Sequence, residues 1–137
     1  MEEVRTQPIV SPFSPEAESA LYAVAFDNYN NGHYDQSLYL FKLLTWQNKE
    51  HRAGWMGYAA SLQMTKQYED AIAAYGYAAL LDPNDPYVHF HAAECYFALK
   101  NLEKAMQALN SALAYSKNKE FSDQLSLLKL LWAQGGI

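Results

Sequence analysis

The feature that most restricts this chain is a spacing of 34 residues at which it resembles itself. Shifting the sequence by that amount lays Ala71 on Ala105, Ala78 on Ala112, Ala59 on Ala93 and Tyr75 on Leu109. The same shift toward the N-terminus reaches Ser37, Leu44, Ala25 and Phe41. A period of this length marks one supersecondary unit copied and stacked, because so short a unit cannot bury its apolar face alone. Three units follow, about 18–51, 52–85 and 86–119. Each holds two amphipathic stretches separated by a short break, Asn31-Gly32-His33, Thr65-Lys66-Gln67 and Lys100-Asn101, and each is predicted to be a helix–turn–helix pair. Small residues at fixed places let two helices approach closely, and aromatics fill the gaps between units.

Local signals place the ends of this array. Ser14 can accept a hydrogen bond from an early helical N–H, Pro15 suits the first helical position, and Glu16 and Glu18 complement the helix dipole. Within Asp82-Pro83-Asn84-Asp85-Pro86 one helix stops and the next starts, with Asp85 as N-cap and Pro86 at the first helical position. Residues 1–14 carry Pro8 and Pro12 with few large apolar side chains in register, and are expected to be a mobile arm. The repeat domain is therefore placed at 15–119. After it, Phe121, Leu125, Leu128 and Trp132 recur at helical spacing before Gly135-Gly136, which predicts a capping helix over 120–134 that covers the last apolar face. Gly54 and Gly57, inside the third predicted helix, each cost about 1 kcal/mol relative to Ala and so imply close packing there.

Charge excludes several functions. Ten Lys and Arg against fifteen Asp and Glu leave a formal charge of -5, and no basic stripe exists to hold nucleic acid or a membrane surface. The single Cys95 cannot make an intramolecular disulfide or a thiolate metal site alone, and so favours a reducing compartment. The N-terminal Met-Glu-Glu-Val-Arg lacks the basic and apolar regions of a signal peptide, and no stretch approaches eighteen uninterrupted apolar residues. A cytoplasmic, soluble protein without membrane insertion is expected. The 11 tyrosines suit surfaces that are partly buried and partly used for contact.

Chemistry is harder to find. His91, Glu94 and Cys95 share one face of a helix, the spacing a metal site would need, and a small metal-dependent enzyme is the reading they would support. Against it, His89 points elsewhere, and His91 and Cys95 occupy repeat positions that usually pack on neighbouring helices; no metal or other cofactor is expected. His33 and His51 fall in turns, where solvation is expected. There is no glycine-rich phosphate loop, no Gly-x-Ser-x-Gly elbow and no carboxylate pair in an apolar setting.

The inner face of the array is more telling. Taking unit positions 2, 5, 9, 12 and 13 as its lining gives Ser19, Tyr22, Phe26, Tyr29 and Asn30, then Ala53, Met56, Ala60, Gln63 and Met64, then Tyr87, Phe90, Glu94, Phe97 and Ala98. Stripes of this kind are often core, and Phe26 and Phe97 fit that reading equally well. A one-sided array has little left to bury on its concave side, however, so six aromatics and two methionines there imply a groove for an apolar peptide. Where helical-repeat domains that hold a C-terminal carboxylate place Lys, Arg and Asn donors, the corresponding places here are mostly Tyr22, Phe26, Phe90 and Glu94, which argues against such a clamp.

Period and residue types resemble the tetratricopeptide repeat, most closely in the second unit through Trp55, Ala59, Leu62, Ala71, Tyr75, Ala78 and Pro83. That likeness implies an all-α, right-handed superhelical array of three helix pairs and a C-terminal capping helix. Two stretches narrow it: Leu21-Tyr22-Ala23-Val24-Ala25-Phe26 with Tyr29, Gly32 and Tyr34, and Phe90-His91-Ala92-Ala93-Glu94-Cys95. Over roughly residues 20–115 the chain resembles the class II chaperones of bacterial type III secretion. The resemblance implies a non-enzymatic bacterial cytoplasmic chaperone that keeps hydrophobic translocator proteins soluble and secretion-competent. It implies an extended, often Pro-bearing client segment in the concave groove, lined by Tyr22, Phe26, Tyr29, Met56, Ala60, Phe90 and Glu94. One departure bears on how a homodimer would form: the segment before Leu21 is short and proline-bearing, where family members commonly carry a longer helical N-terminus used in dimerisation. A tetratricopeptide adaptor in another assembly system is the alternative reading.

Overall fold

In the computed structural model, which describes residues 13–135, seven helices follow one another and no strand occurs among the described residues. They are α1 Pro15–Asn30, α2 Tyr34–Gln47, α3 Arg52–Met64, α4 Tyr68–Leu81, α5 Pro86–Ala98, α6 Leu102–Tyr115 and α7 Lys119–Ala133. Each helix packs chiefly on its neighbours in sequence, and the first helices of successive units, α1 with α3 and α3 with α5, also touch. That contact brings α1, α3 and α5 side by side as one inner layer. Of the expected arm at 1–14, residues 1–12 lie, with Gly136 and Ile137, outside the described residues; Phe13 and Ser14 lead into α1.

The ends of the helices follow the local chemistry. Ser14 Oγ accepts from the Ala17 N–H at 3.1 Å, and Asp85 Oδ1 accepts from the Tyr87 N–H at 2.9 Å ahead of Pro86. The three turns inside the units are equivalent. Gly32, Lys66 and Lys100, spaced by the repeat, adopt φ of +79°, +64° and +63°. In each, the following N–H reaches back to close the helix, His33 to the Asn28 carbonyl, Gln67 to Leu62 and Asn101 to Tyr96. Only the first turn uses glycine for a left-handed conformation that lysine adopts at a cost.

The repeat register is written in the core. Ala25, Ala59 and Ala93, then Phe41, Tyr75 and Leu109, then Leu44, Ala78 and Ala112 are all buried, as are Ser37, Ala71 and Ala105. Burying one large apolar side chain of this set contributes about 1.5–3 kcal/mol. Ser37, polar where later units have Ala, is explained by its partner: its Oγ lies 2.8 Å from Ser61 Oγ across the α2–α3 interface. His51 corrects the expectation of a solvated turn, since its Nδ1 accepts from the Gly54 N–H at 2.9 Å and its ring lies against Tyr22. His33 is exposed at the start of α2.

α7 closes the stack. Leu125 and Trp132 are buried, Phe121 stacks on Tyr87 with centroids 4.5 Å apart, and Trp132 lies nearly parallel to Phe97 at 4.1 Å. The helix thereby covers the aromatic end of α5.

Candidate functional site: an aromatic cavity on the inner layer

A cavity of about 330 Å³ opens between α1, α3, α4 and α5, near the lower end of the range of small-ligand pockets. Helical spacing puts Tyr22, Phe26 and Tyr29 on one face of α1, where they form one wall. Tyr22 stacks along Phe26 and meets Phe41 edge-on, at 5.9 and 5.8 Å between centroids. Met56, Gly57 and Ala60 of α3 make the floor. Gly57 is needed there: a Cβ would sit 2.4 Å from two carbons of the Phe41 ring. Tyr75 of α4 and His91 of α5, stacked at 5.7 Å, form the opposite wall. At the rim Arg52 donates to Asp85 Oδ2 at 2.8 Å and lies 3.9 Å from Asp82.

One polar chain runs beside this apolar surface. The Tyr75 hydroxyl donates to Gln63 Oε1 at 2.8 Å, which turns the Gln63 amide nitrogen toward Glu94, where it donates to Oε1 at 3.1 Å. His91 Nδ1 lies 2.9 Å from the same oxygen, and because a carboxylate only accepts, that ring nitrogen carries the proton. Burial on its own would raise the Glu94 pKa, but the hydrogen bonds from His91 and Gln63 outweigh it and hold the carboxyl below its ordinary value. Tyr75 is pushed up, first by burial, so its hydroxyl stays a donor. Burial, with a smaller contribution from Tyr34 and then from the Glu94 charge, also raises Tyr29.

Of the eleven residues expected to line a groove, the cavity gathers Tyr22, Phe26, Tyr29, Met56 and Ala60. Gln63 and Glu94 join it through the polar chain. Met64 is exposed at the end of α3. Tyr87 and Phe90 both contact Phe121 of α7. Phe97 lines a separate cavity of about 410 Å³ with Lys100, Leu102, Trp132 and Gly135. Phe41, Tyr75 and Arg52 line the first cavity without having been assigned to the inner face. The first two share a repeat position on the second helix of their units, and that aromatic pair at a spacing of one period was the available signal. Cys95 is buried in the core with Ala59, Ala78 and Val88, and burial pushes its thiol up to about 12, with the Glu94 charge adding to the effect. No group of three His, Cys, Asp or Glu side chains able to hold a metal occurs among the described residues.

The tetratricopeptide repeat family model matches residues 62–131. The low calcium response locus protein H of Yersinia pestis is 30% identical over 118 residues, which cover 86% of this chain and 70% of that protein. Among solved structures, PcrH in complex with the chaperone binding region of PopD superposes with a TM-score of 0.86 at 28% identity, covering 93% of this chain and 99% of that one. The Yersinia enterocolitica type III secretion chaperone SycD, in complex with a peptide of the translocator YopD, gives 0.84 at 29% identity, covering 90% and 98%. SycD also forms what is described as an alternative dimer.

Proposed function

The chain belongs to the tetratricopeptide-repeat chaperones of type III secretion, and on that premise we propose that it binds hydrophobic translocator proteins stoichiometrically in the bacterial cytoplasm, keeping them soluble until export. The observation that carries this reading is the aromatic cavity on the inner layer, where Tyr22, Phe26, Tyr29 and Met56 line an open apolar surface. Phe26 in particular keeps 48% of its surface exposed, unusual for a large aromatic that has a place in a core. PcrH and SycD, which share the fold, hold segments of PopD and YopD.

An extended segment suits such a site. Its side chains alternate along a rise of about 3.3 Å per residue, so successive anchors fall on successive helices of the inner layer. Pro in the segment lowers the ordering cost, and the aromatic walls receive its ring. Binding of this kind needs no catalytic group. Tyr87 and Phe90 continue the apolar lining along α5 beside Phe121 of α7, with Gln63 and Met64 at the end of α3, whereas Phe97 pairs with Trp132 over a separate cavity. A homodimer is the second assembly to be expected of the free chaperone.

The test is co-expression with a translocator of its own secretion system. The translocator should move from the insoluble to the soluble fraction as a complex with this chain, and Tyr22→Ala combined with Tyr29→Ala should return it to the insoluble fraction while the variant keeps its helical circular dichroism. A translocator solubilised equally by both forms would place the binding surface elsewhere. One left insoluble by the wild type would leave the adaptor reading.

A further inference from the structure

Around an otherwise apolar cavity the charges do not balance. Among the described residues Arg52 is the one Lys or Arg on its rim, and it is already committed to Asp85 and Asp82. Glu94 has no Lys or Arg partner among the described residues. Its Oε1 is taken by Gln63 and His91, and its side chain remains 36% exposed, so the second oxygen faces solvent. Its place is set by His91, which it holds, which lines the cavity and which stacks on Tyr75. The carboxylate thus stands at the edge of the cavity, beside the stacked rings of His91 and Tyr75.

Aromatic faces beside a fixed carboxylate recognise a long cationic side chain, which lays its methylene stem on the rings and its charge against the oxygen. We propose that Glu94 makes this cavity a subsite for a Lys or Arg carried by the extended client segment, so that the groove reads one positive charge among its apolar anchors. The inference rests on the proposed function and adds a selection rule to it. The polar chain from Tyr75 through Gln63 serves this role by fixing the carboxylate, because a rotamer held from two sides loses less entropy when the cation arrives. A surplus of negative charge near the cavity also disfavours client segments with an acidic residue in the same register.

The probe is a ten-residue peptide of alternating Leu and Ser with one Pro, blocked at both ends, together with variants in which one Ser at a time becomes Lys or Glu. The neutral peptide sets the reference affinity for wild type and for Glu94→Gln separately. In one register the Lys peptide should bind wild type about fivefold more tightly, a gain of the size a half-exposed ion pair supplies. The gain should fade as salt rises to about 0.5 M and vanish in Glu94→Gln, and Glu in that register should weaken binding. Lys gaining nothing in any register, or gaining equally in every register and in Glu94→Gln, would overturn the subsite while leaving the groove intact. Failure of the neutral peptide to bind wild type would overturn the groove reading and the subsite with it. Should Glu94→Gln fail to fold, the contrast between Lys and Glu peptides on the wild-type chain decides the matter.

Discussion

Gly57→Ala and Gly76→Ala make the same chemical change in two helices and should move stability in opposite directions. Each gains up to about 1 kcal/mol in helix propensity. At Gly76 a Cβ meets nothing within 4 Å, so that gain is kept. At Gly57 the new carbon would lie 2.4 Å from the Phe41 ring, where ordinary contact begins at 3.4 Å, so the ring must retreat by roughly 1 Å. Phe41 is 1% exposed and is held edge-on by Tyr22, which leaves the cavity as the direction of retreat. Overpacking of this kind costs about 1–3 kcal/mol. The net expectation is a loss of about 1 kcal/mol for Gly57→Ala, a fall in Tm of about 3–5 °C for a chain of this size, and a difference of about 2 kcal/mol between the two variants in which propensity cancels. Urea unfolding followed by circular dichroism measures it. Because Phe41 and Gly57 both line the cavity, Gly57→Ala should also weaken client binding where Gly76→Ala does not. If the two variants stabilise the protein equally, close approach of α3 to Phe41 does not shape the cavity.

Gly32→Ala should lower stability by about 1 kcal/mol in the same assay, since its φ of +79° is strained for alanine although its surroundings are open; an unchanged midpoint would refute the turn assignment. Glu94 supplies a pH dependence. Its folded pKa lies below the ordinary 4.5, so its contribution is fully present above that value and is lost as pH falls through the folded pKa. Stability measured from neutral pH downward should therefore show wild type losing its advantage over Glu94→Gln below about pH 4.5, with a modest amplitude because solvent screens a half-exposed carboxylate; parallel curves would show that the hydrogen bonds from His91 and Gln63 do not favour the charged form.

Much of the fold was legible because a stacked array repeats its constraints. Ala25, Ala59 and Ala93 are kept small by the same close helix contact in each unit, so the spacing of 34 reveals that contact from the sequence alone. The helix starts at Ser14 and Asp85 were equally readable, because a cap depends on residues within three positions. His51 was misjudged because histidine is an uncommon helix cap, although its Nδ1 takes the Gly54 N–H three positions on, and because its ring rests on Tyr22 of another helix. The partner of Ser37, Ser61, likewise lies on another helix, and nothing local marks that hydroxyl as taken. The site shows the same division. Tyr22, Phe26 and Tyr29 share a helix face and follow from periodicity, whereas the joining of Tyr75, Gln63 and Glu94 across three helices depends on how those helices are rotated. Which inner-face aromatics α7 would engage was likewise invisible, since it depends on where Phe121 and Trp132 dock on α5.

The central claim, that a client segment lies against the inner layer, is tested most directly by methyl NMR of the methionines. The chain has four, and three stand in different settings: Met56 in the floor of the cavity, Met64 exposed at the end of α3, and Met106 packed on the Ala93, Leu109 and Leu125 core. With carbon-13 methyl labels, titration of a translocator's chaperone-binding segment should shift the Met56 signal and give intermolecular Overhauser contacts from its methyl to client side chains. Met106 should stay in place. Client contacts at Met106 with an unmoved Met56 would contradict the account and put the binding surface on the outer layer or α7.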